Sequence, residues 1–431
     1  MARVCVILVA GLDAAIVKHP AATLATFPHR KTFEPDFPAV TSTMQATLTT
    51  AVSARQHGIT ANGLYTHNQP ALHANLDLSN YADYRKDVSF WEQSNNLLQH
   101  KRFWAGSGKK VAMLFLQNSM HGAADIVITP KPEHTPDGKT LTACWSNPPE
   151  LYAKLVAKFG PFPLHNYWSP MAALPSSQWI INAALHVWSE DKPDLQLVYV
   201  PHLDYNLQRL GPSHPAIAKE LADIDAAIAP LVKLVRETGG IPVIVGDYGM
   251  YDVDTPLFPN LVLREAGLLK TKTDDKGKVY VDYAASEAFA LCDHQVAHVF
   301  TRSPMAATRV LKEKLTALDG ITHMQTDRAG AFTLVAKPNA WFAHDWWQHD
   351  GEKPLWQFTV DIHAKPGYDP RELFFDRERK CIAQDAKLVK GSHGRNMEEG
   401  KWPVLLSDAP IEGAERAYNV AAYLHRLSDA H

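Results

Sequence analysis

The stretch from 195 to 249 decides the fold: it opens with LQLVYVPHLD (195–204) and closes with IPVIVGDYG (241–249). Both are apolar runs of the length expected for buried parallel strands. Between them, SHPAIAKELADIDAAIAPLVKLVRETGG (213–240) has apolar residues three and four positions apart, which predicts a helix. Ser213 is the expected N-cap, with Pro215 in the first turn and two glycines at the end. A strand–helix–strand unit of this kind indicates a parallel sheet and an α/β fold.

Two further apolar runs, VCVILVAG (4–11) and KKVAMLFLQ (109–117), extend the same pattern. We therefore expect a three-layer α/β sandwich with a central, mostly parallel sheet. Short strand-like runs and one helical stretch surround a charged turn further along the chain, which predicts a smaller α+β insertion or cap. The expected domains are a core at 1–265, the insertion at 266–340 and a return to the core at 341–431.

The composition of the 431 residues is that of a globular enzyme, with 46% hydrophobic and 21% charged residues. The net charge of −3 gives no basic surplus, so a nucleic acid polymer is not an expected partner. No apolar run is long enough to predict a membrane span, and the first run is predicted to be a strand rather than a secretory signal. We expect a cytoplasmic protein. The four cysteines form no CxxC pair, and the sequence carries no signal for an oligomeric state.

A hydroxyl-rich stretch, FPAVTSTMQATLTTAVSARQHGI (37–59), stands out because Thr and Ser are weak helix formers. A helix is nevertheless predicted at 44–52. Thr41 precedes this helix, so it is a candidate nucleophile at a helix N-terminus and equally a candidate N-cap. The sequence His-Gly-Ile at 57–59 and then Asn62 follow.

Acidic side chains follow two of the predicted strands: Asp204 closes the run VPHLD, and Asp247 lies in GDYGM. A separate motif, GSHGR, carries His393 near the end of the chain. Because parallel strands bring their carboxyl ends to one edge, that edge is the expected ligand site. Carboxylates and imidazoles are ligands for divalent cations.

These motifs resemble the nucleotide pyrophosphatase/phosphodiesterase (type I phosphodiesterase) branch of the alkaline phosphatase superfamily. The likeness to a divergent bacterial subgroup extends along nearly the whole chain. It implies an alkaline-phosphatase-like core and a metal-dependent hydrolase of small phosphate esters. It also implies that Thr41 attacks phosphorus to form a phospho-enzyme, because Thr41 is in register with His-Gly-Ile and Asn62. Asn62 would donate a hydrogen bond to a phosphoryl oxygen.

The resemblance also implies a metal-ligand set, of which half is present. Asp204, Asp247 and His393 match, whereas Ala10, Gln208 and Tyr248 stand where the family has acidic or imidazole ligands. The implied cofactor is therefore one or two divalent ions, Zn, Mn or Mg. Other residues are candidates to complete the set: Gln208 and Tyr248 themselves, Asp293, His294, His298, His202, Asp13, and the pair Asp361 and His363.

Two readings follow from this incomplete set. The first is an active phosphodiesterase with a modified metal site. The second is a non-catalytic binding or scaffold protein that keeps the fold and has a degraded metal site. Each replacement residue also has an ordinary explanation: Asp13 as a helix cap, and the histidines as structural or surface side chains.

Overall fold

The computed structural model describes residues 3–66, 87–134, 140–141, 143–322 and 331–429. One strand expected from the sequence, THMQT at 322–326, lies outside these ranges from residue 323 onward.

A mostly parallel sheet forms the centre of the described chain. Its eight strands lie in the order His29–Thr32, Val404–Ser407, Ile241–Gly246, Val4–Val9, Leu195–Val200, Val111–Leu114, Ile126–Pro130 and Cys144–Asn147. The strands from the third to the seventh are parallel to one another, and the others pair antiparallel at the two edges. The expected α/β class with a mostly parallel sheet is confirmed.

The strand Val4–Val9 lies in the middle of this sheet. It pairs residue for residue with Leu195–Val200 on one side and with Ile241–Gly246 on the other. All six of its side chains are buried, which explains a continuous apolar run without alternation. Each fully buried Val, Ile or Leu contributes about 1.5–3 kcal/mol to folding, so this strand anchors the core.

The predicted strand that ends at Asp204 is too long. The strand ends at Val200, and Asp204 lies in the helix His202–Leu210, here called the Asp204 helix. The next helix, here called the long helix, runs from Ile217 to Glu237. It starts later than predicted because the Ser213 hydroxyl does not cap it but donates to Asp252 Oδ2 at 2.5 Å.

Helices accompany the sheet along the chain, and none within the described ranges is both long and apolar enough to traverse a bilayer. The helices run over Thr41–Thr50, Ala54–His57, Leu151–Phe159, Leu164–Tyr167, Leu174–His186, His202–Leu210, Ile217–Glu237, Pro259–Glu265, Pro304–Lys314 and Ala417–Asp429.

A second, antiparallel sheet has its own hydrophobic core. Its strands lie in the order Ala288–Asp293, Val296–Thr301, Phe332–Ala336 and Leu318–Thr322. The helix Pro304–Lys314 contributes Ala307 and Leu311 to the same core. The charged turn predicted nearby joins the hairpin strands Thr271–Thr273 and Val279–Val281. The helix and several of the short strands are present as expected, but the predicted strand DHQVAHVFTR begins with a hairpin turn, and the domain limits stay a prediction.

Short two-stranded pairs tie the loops together. They are Gly63–Tyr65 with Val88–Phe90, Glu133–His134 with Thr140–Leu141, Tyr251–Asp252 with Gly391–Ser392, Thr255–Leu257 with Ala340–Phe342, and Phe375–Asp376 with Cys381–Ile382.

Candidate active site

An open cleft lies at the carboxyl edge of the parallel sheet. Thr41, Asp204, Tyr248 and His294 line it, together with a wall of mainly aromatic and aliphatic side chains. Within the described lining there is no Lys or Arg side chain. The cleft therefore combines buried acidic groups with an apolar wall.

Thr41 is the first residue of the helix Thr41–Thr50, which begins three residues earlier than predicted. The residue before it, Val40, has extended backbone angles, so Thr41 is inside the helix rather than its N-cap. Its hydroxyl lies 3.4 Å from the Tyr248 hydroxyl. Further along the helix, the Thr49 and Thr50 hydroxyls donate to backbone carbonyls of the preceding turn. Thr41 is thus the helix hydroxyl that faces the cleft.

Backbone hydrogen bonds bring three distant segments to Thr41. The Ala39 N–H donates to the Gly394 carbonyl at 3.1 Å, and the His393 Nδ1–H donates to the Ala39 carbonyl at 2.7 Å. The Gln295 N–H donates to the His393 carbonyl at 2.8 Å. Residues more than 300 positions apart in sequence therefore share one rigid frame.

Four aromatic rings form a column beside Thr41. Tyr368 stacks on His294 at 3.6 Å between ring centroids, His294 contacts His393 at 3.9 Å, and His393 stacks on Tyr248 at 3.5 Å. Burial lowers the pKa of both histidines well below the usual value, so both rings are neutral. Tyr248 thus packs as a flat ring where the family has a metal-binding imidazole.

His294 reaches this column from a hairpin turn and not from a strand. It has a φ of 61°, between the strands that end at Asp293 and begin at Val296. His294 and His298 therefore do not lie on one face of a single strand. His298 lies on the next strand, where its Nδ1 is 3.0 Å from the Thr333 hydroxyl.

Hydrogen bonds from the protein satisfy both carboxylate oxygens of Asp204. Gln208 Nε2 donates to Oδ2 at 2.5 Å, and the Tyr248 hydroxyl donates to Oδ1 at 3.2 Å. The Tyr368 hydroxyl in turn donates to Gln208 Oε1 at 2.7 Å. Burial raises the pKa of Asp204 to about 6, although the bonds from Gln208 and Tyr248 oppose the shift.

Asp247 has one satisfied and one unsatisfied oxygen. Its Oδ1 accepts from the Gly11 N–H at 3.0 Å and from the Tyr248 N–H at 2.9 Å. Its Oδ2 is buried and makes no hydrogen bond. Burial, with a contribution from the charge of Asp204, raises the pKa of Asp247 to about 8. Gly11 takes a φ of +72° at this contact, which favours glycine at the position after Ala10.

Asn62 links the Thr41 helix to the hairpin turn. Its Oδ1 accepts from the Ser42 N–H at 2.8 Å, and its Nδ2 donates to Asp293 Oδ1 at 3.0 Å. The same Asp293 oxygen lies 2.7 Å from His294 Nδ1. Burial raises the pKa of Asp293. In this arrangement Asn62 positions the start of the helix and has one amide hydrogen left for a ligand.

Five of the predicted replacement ligands are not among the cleft-lining residues: Gln208, Asp293, His298, His202 and Asp13. His202 points toward the long helix, where its Nε2 is 3.0 Å from Glu220 Oε2. Asp13 accepts at Oδ1 from the Ala15 and Ile16 N–H groups, both at 2.8 Å, just before the short turn Ile16–Lys18, whose N-cap is Ala15. The role of Asp13 as a helix cap stays a prediction. Asp361 and His363 both lie on the cleft wall.

A buried ion-pair cluster stands behind that wall. Arg371 pairs with Asp345 at 2.7 Å and with Asp369 at 2.6 Å, while Lys365 pairs with Asp369 at 2.9 Å and with Glu372 at 2.8 Å. Burial acts to raise the pKa of Asp345 and Asp369, but the neighbouring cations outweigh it and lower both. The outer member, Glu372, accepts from the indole N–H of Trp168 at 2.6 Å. The cluster therefore fixes one side of the cleft.

Sequence reasoning missed Tyr368, which joins the ring column to Gln208. It also missed the aromatic wall formed by Trp91 and Trp168, whose rings lie 6.0 and 5.8 Å from that of Tyr368. No spacing in the sequence connects these three positions, because they come from three separate loops.

Residues 4–369 match the family model described as type I phosphodiesterase / nucleotide pyrophosphatase. The chain belongs to this family. It is therefore a phosphoester hydrolase of the alkaline phosphatase superfamily, as the motifs indicated. No curated protein sequence matches the chain.

Solved structures share the fold at low sequence identity. Human ectonucleotide pyrophosphatase/phosphodiesterase 5 aligns over 99% of this chain and 95% of its own, with 12% identity and a TM-score of 0.60. Phosphonoacetate hydrolase from Sinorhizobium meliloti 1021, in complex with phosphonoacetate, aligns over 99% and 96%, with 14% identity and a TM-score of 0.60. An inactive threonine-to-alanine variant of the murine phosphodiesterase 5, in complex with AMP, aligns over 100% and 95%, with 13% identity and a TM-score of 0.58.

Two candidate donor atoms for a cation lie beside the cleft-lining residue Tyr248: Asp247 precedes it in the chain, and the His393 ring stacks on it. Within the described residues, Asp247 Oδ2 and His393 Nε2 are buried and lack a hydrogen bond, which is costly for such groups unless a ligand satisfies them. Carboxylate oxygen and neutral imidazole nitrogen are the usual donors to a divalent cation, so these atom types suit one.

Fewer donor atoms are available for a second cation at the positions where the resemblance implies its ligands. Asp204 already accepts from Gln208 and Tyr248, and Ala10 has no donor. Among the described residues, no three His, Cys, Asp or Glu donor atoms cluster in the cleft, and the group that does cluster lies elsewhere.

Proposed function

We propose that this family member hydrolyses phosphodiesters of small molecules through a phospho-enzyme on Thr41, with one divalent cation rather than two. The observation that carries the proposal is the hydrogen-bonded chain that runs from Thr41 to Tyr248 and on to Asp204. Among the structural neighbours, the murine variant that lacks a threonine is described as inactive and binds AMP.

Thr41 would act as the nucleophile. Its oxygen forms a bond to phosphorus while the bond from phosphorus to the ester oxygen breaks, and water then hydrolyses the phosphothreonine. Because the Tyr248 hydroxyl donates to Asp204, its oxygen is free to accept the Thr41 proton. Tyr248 therefore orients the Thr41 hydroxyl and relays its proton to Asp204.

Asp247 and His393 would hold the cation, since each offers an unpartnered buried atom. Bound there, a divalent ion supplies positive charge that stabilises a deprotonated threonine and the phosphoryl oxygens. Zn²⁺ and Mn²⁺ suit a mixed nitrogen and oxygen donor set better than Mg²⁺. Asn62 has one amide hydrogen left to donate to a phosphoryl oxygen, as the resemblance implies.

The cleft wall favours a singly charged diester with an aromatic or apolar group. Trp91, Trp168, Tyr167 and Ile362 offer contact area, and no Lys or Arg within the described lining would neutralise a polyphosphate. This wall suits an aryl or nucleoside phosphodiester better than phosphonoacetate, the small dianion bound by the neighbouring hydrolase.

The test is turnover of bis(p-nitrophenyl) phosphate by T41A, with and without added Mn²⁺ or Zn²⁺. We expect T41A to lose activity by about 10³-fold or more, because the nucleophile is removed. T41S should retain part of the activity, and rapid quenching should trap one phosphoryl group on the wild-type protein and none on T41A.

The matched control is S42A, because Ser42 is the next residue of the same helix and is equally buried. Its backbone N–H, rather than its hydroxyl, makes the contact with Asn62. Equal turnover by T41A and wild type would contradict the mechanism. No turnover by the wild-type protein with any of these ions would instead favour the scaffold reading.

A further inference from the structure

A group of three potential metal ligands lies outside the cleft. It consists of His202, at the start of the Asp204 helix, and Glu220 and Asp223, on the long helix. Their donor atoms all lie within 4.8 Å of one another. Glu220 and Asp223 are three positions apart, so they share one face of their helix, and His202 meets that face from the other helix.

The imidazole of His202 is the unusual member of the group. Its side chain is 5% exposed, and within the described residues neither ring nitrogen makes a hydrogen bond of ordinary geometry. A buried imidazole without partners is uncommon, because both nitrogens normally find a donor or an acceptor. The ring is nevertheless directed at the two carboxylates, with Nε2 only 3.0 Å from Glu220 Oε2.

His202 Nε2 and Glu220 Oε2 are close together but are not aligned as a hydrogen bond, and two ligands of the same metal ion have this arrangement. Ligand atoms about 2.1 Å from a tetrahedral ion are about 3.4 Å apart, a few tenths of an ångström more than the 3.0 Å between His202 Nε2 and Glu220 Oε2. In such a pair, the imidazole lone pair is directed at the ion and not at the neighbouring oxygen. A plain His–Glu hydrogen bond would instead align the N–H with the carboxylate.

Solvent can reach the group through its third member, Asp223. The Asp223 side chain is 32% exposed, against 13% for Glu220. Lys219 pairs with Asp223 Oδ2, but its side chain is 73% exposed and can move away. An entering ion therefore has a route to the buried imidazole, and water can complete its coordination.

We propose that His202, Glu220 and Asp223 form a separate binding site for a first-row divalent transition ion such as Zn²⁺. One imidazole and two carboxylates suit such ions, whereas Mg²⁺ and Ca²⁺ prefer oxygen ligands alone. The site goes beyond the proposed hydrolysis and uses none of its residues.

An ion at this site would clamp the Asp204 helix to the long helix. Asp204 follows His202 by two positions, a rotation of about 200°, so it faces the opposite side of the same helical turn. The ion would therefore fix the turn that presents Asp204 to the cleft without touching the substrate.

The test is Zn²⁺ binding to the full-length protein after removal of metal with a chelator, followed by calorimetric titration and thermal unfolding. E220Q and D223N should each lose one equivalent of bound Zn²⁺, or bind it at least tenfold more weakly, and lose the matching rise in Tm. E237Q is the control, because Glu237 lies on the same helix and is 60% exposed. D247N separates the two sites, since it changes the cleft and leaves this group intact.

Co²⁺ gives an independent readout, because its visible absorption reports tetrahedral coordination that includes nitrogen. We expect this absorption in D247N, where the cleft site is changed, and its loss in the double variant D247N/E220Q, while D247N/E237Q keeps it. If E220Q fails to fold, D223N decides the question, because Asp223 lies at the surface. Unchanged Zn²⁺ stoichiometry and Tm shift in D223N and E220Q would overturn the proposal, whatever the result for T41A turnover.

Discussion

Replacing Tyr248 with phenylalanine removes one oxygen and keeps the ring that stacks on His393 at 3.5 Å. The lost hydroxyl donates to Asp204 at 3.2 Å and lies 3.4 Å from the Thr41 hydroxyl. A hydrogen bond to a charged group contributes about 1.5–3 kcal/mol, and these two are long, so we take the lower end. A loss of about 1.4 kcal/mol in the transition state lowers the rate tenfold.

We therefore expect Y248F to lower kcat for bis(p-nitrophenyl) phosphate by roughly tenfold or somewhat more, with little change in KM. KM should hold because the hydroxyl contacts Thr41 and Asp204, whereas the aromatic wall carries substrate binding. Steady-state turnover at saturating metal measures both constants. Circular dichroism and thermal unfolding check that the ring column stays intact.

Y199F is the matched control, because Tyr199 lines the same cleft and is also buried. Its hydroxyl makes no hydrogen bond to Thr41 or Asp204 in the described part of the structure. Wild-type kcat in Y248F would refute the role of the hydroxyl chain. An equal loss in Y199F would show that any buried hydroxyl in the cleft has the same effect.

Two other changes test the wall of the cleft. Replacing Arg371 with Met strips Asp345 and Asp369 of their shared partner and should cost about 3–5 kcal/mol in the free energy of unfolding at pH 7, measured by urea denaturation. The pKa values of both carboxyl groups are lowered in the folded protein, so their ion pairs stabilise it fully above the unfolded-state pKa of about 4 and stop doing so as pH falls through the folded-state pKa values. The loss of stability in the Met variant should therefore shrink below pH 4. A loss that does not change with pH would contradict the assignment. Replacing Trp168 with Ala should raise KM for bis(p-nitrophenyl) phosphate about fivefold to tenfold, because an aryl group loses its contact with the indole ring. KM for methyl p-nitrophenyl phosphate, which has one aryl group fewer, should rise less. Equal increases in KM for both substrates would exclude a stacking role for Trp168.

The scaffold was predictable because its signal is local. The run at Val4–Val9 is apolar at every position, and a strand buried on both faces requires that. The positions of Thr41, Asp247 and His393 also follow from short motifs in the sequence. The end of the strand before Asp204 was not predictable. The strand ends at Val200 and the next helix begins at His202, and no residue pattern in the run 195–204 indicates this change from extended to helical backbone.

The contacts around the site depend on tertiary structure. His294 was selected as a ligand candidate for its acidic neighbour, and it does reach the cleft, but through a turn with positive φ that the sequence did not indicate. His202 was selected because it precedes Asp204, and helical geometry turns it the opposite way. Tyr368 carried no signal, since its partners Gln208 and His294 lie in remote segments.

The chain of bonds from Tyr368 through Gln208, Asp204 and Tyr248 has a consequence for redesign of the site. Each side chain satisfies its neighbour, so a change at Gln208 or Tyr248 alone disturbs the hydrogen bonds of Asp204. A single histidine at either position would not complete a second set of metal ligands, because Ala10 still lacks a donor. A designed two-metal site would therefore need simultaneous changes at Ala10, Gln208 and Tyr248.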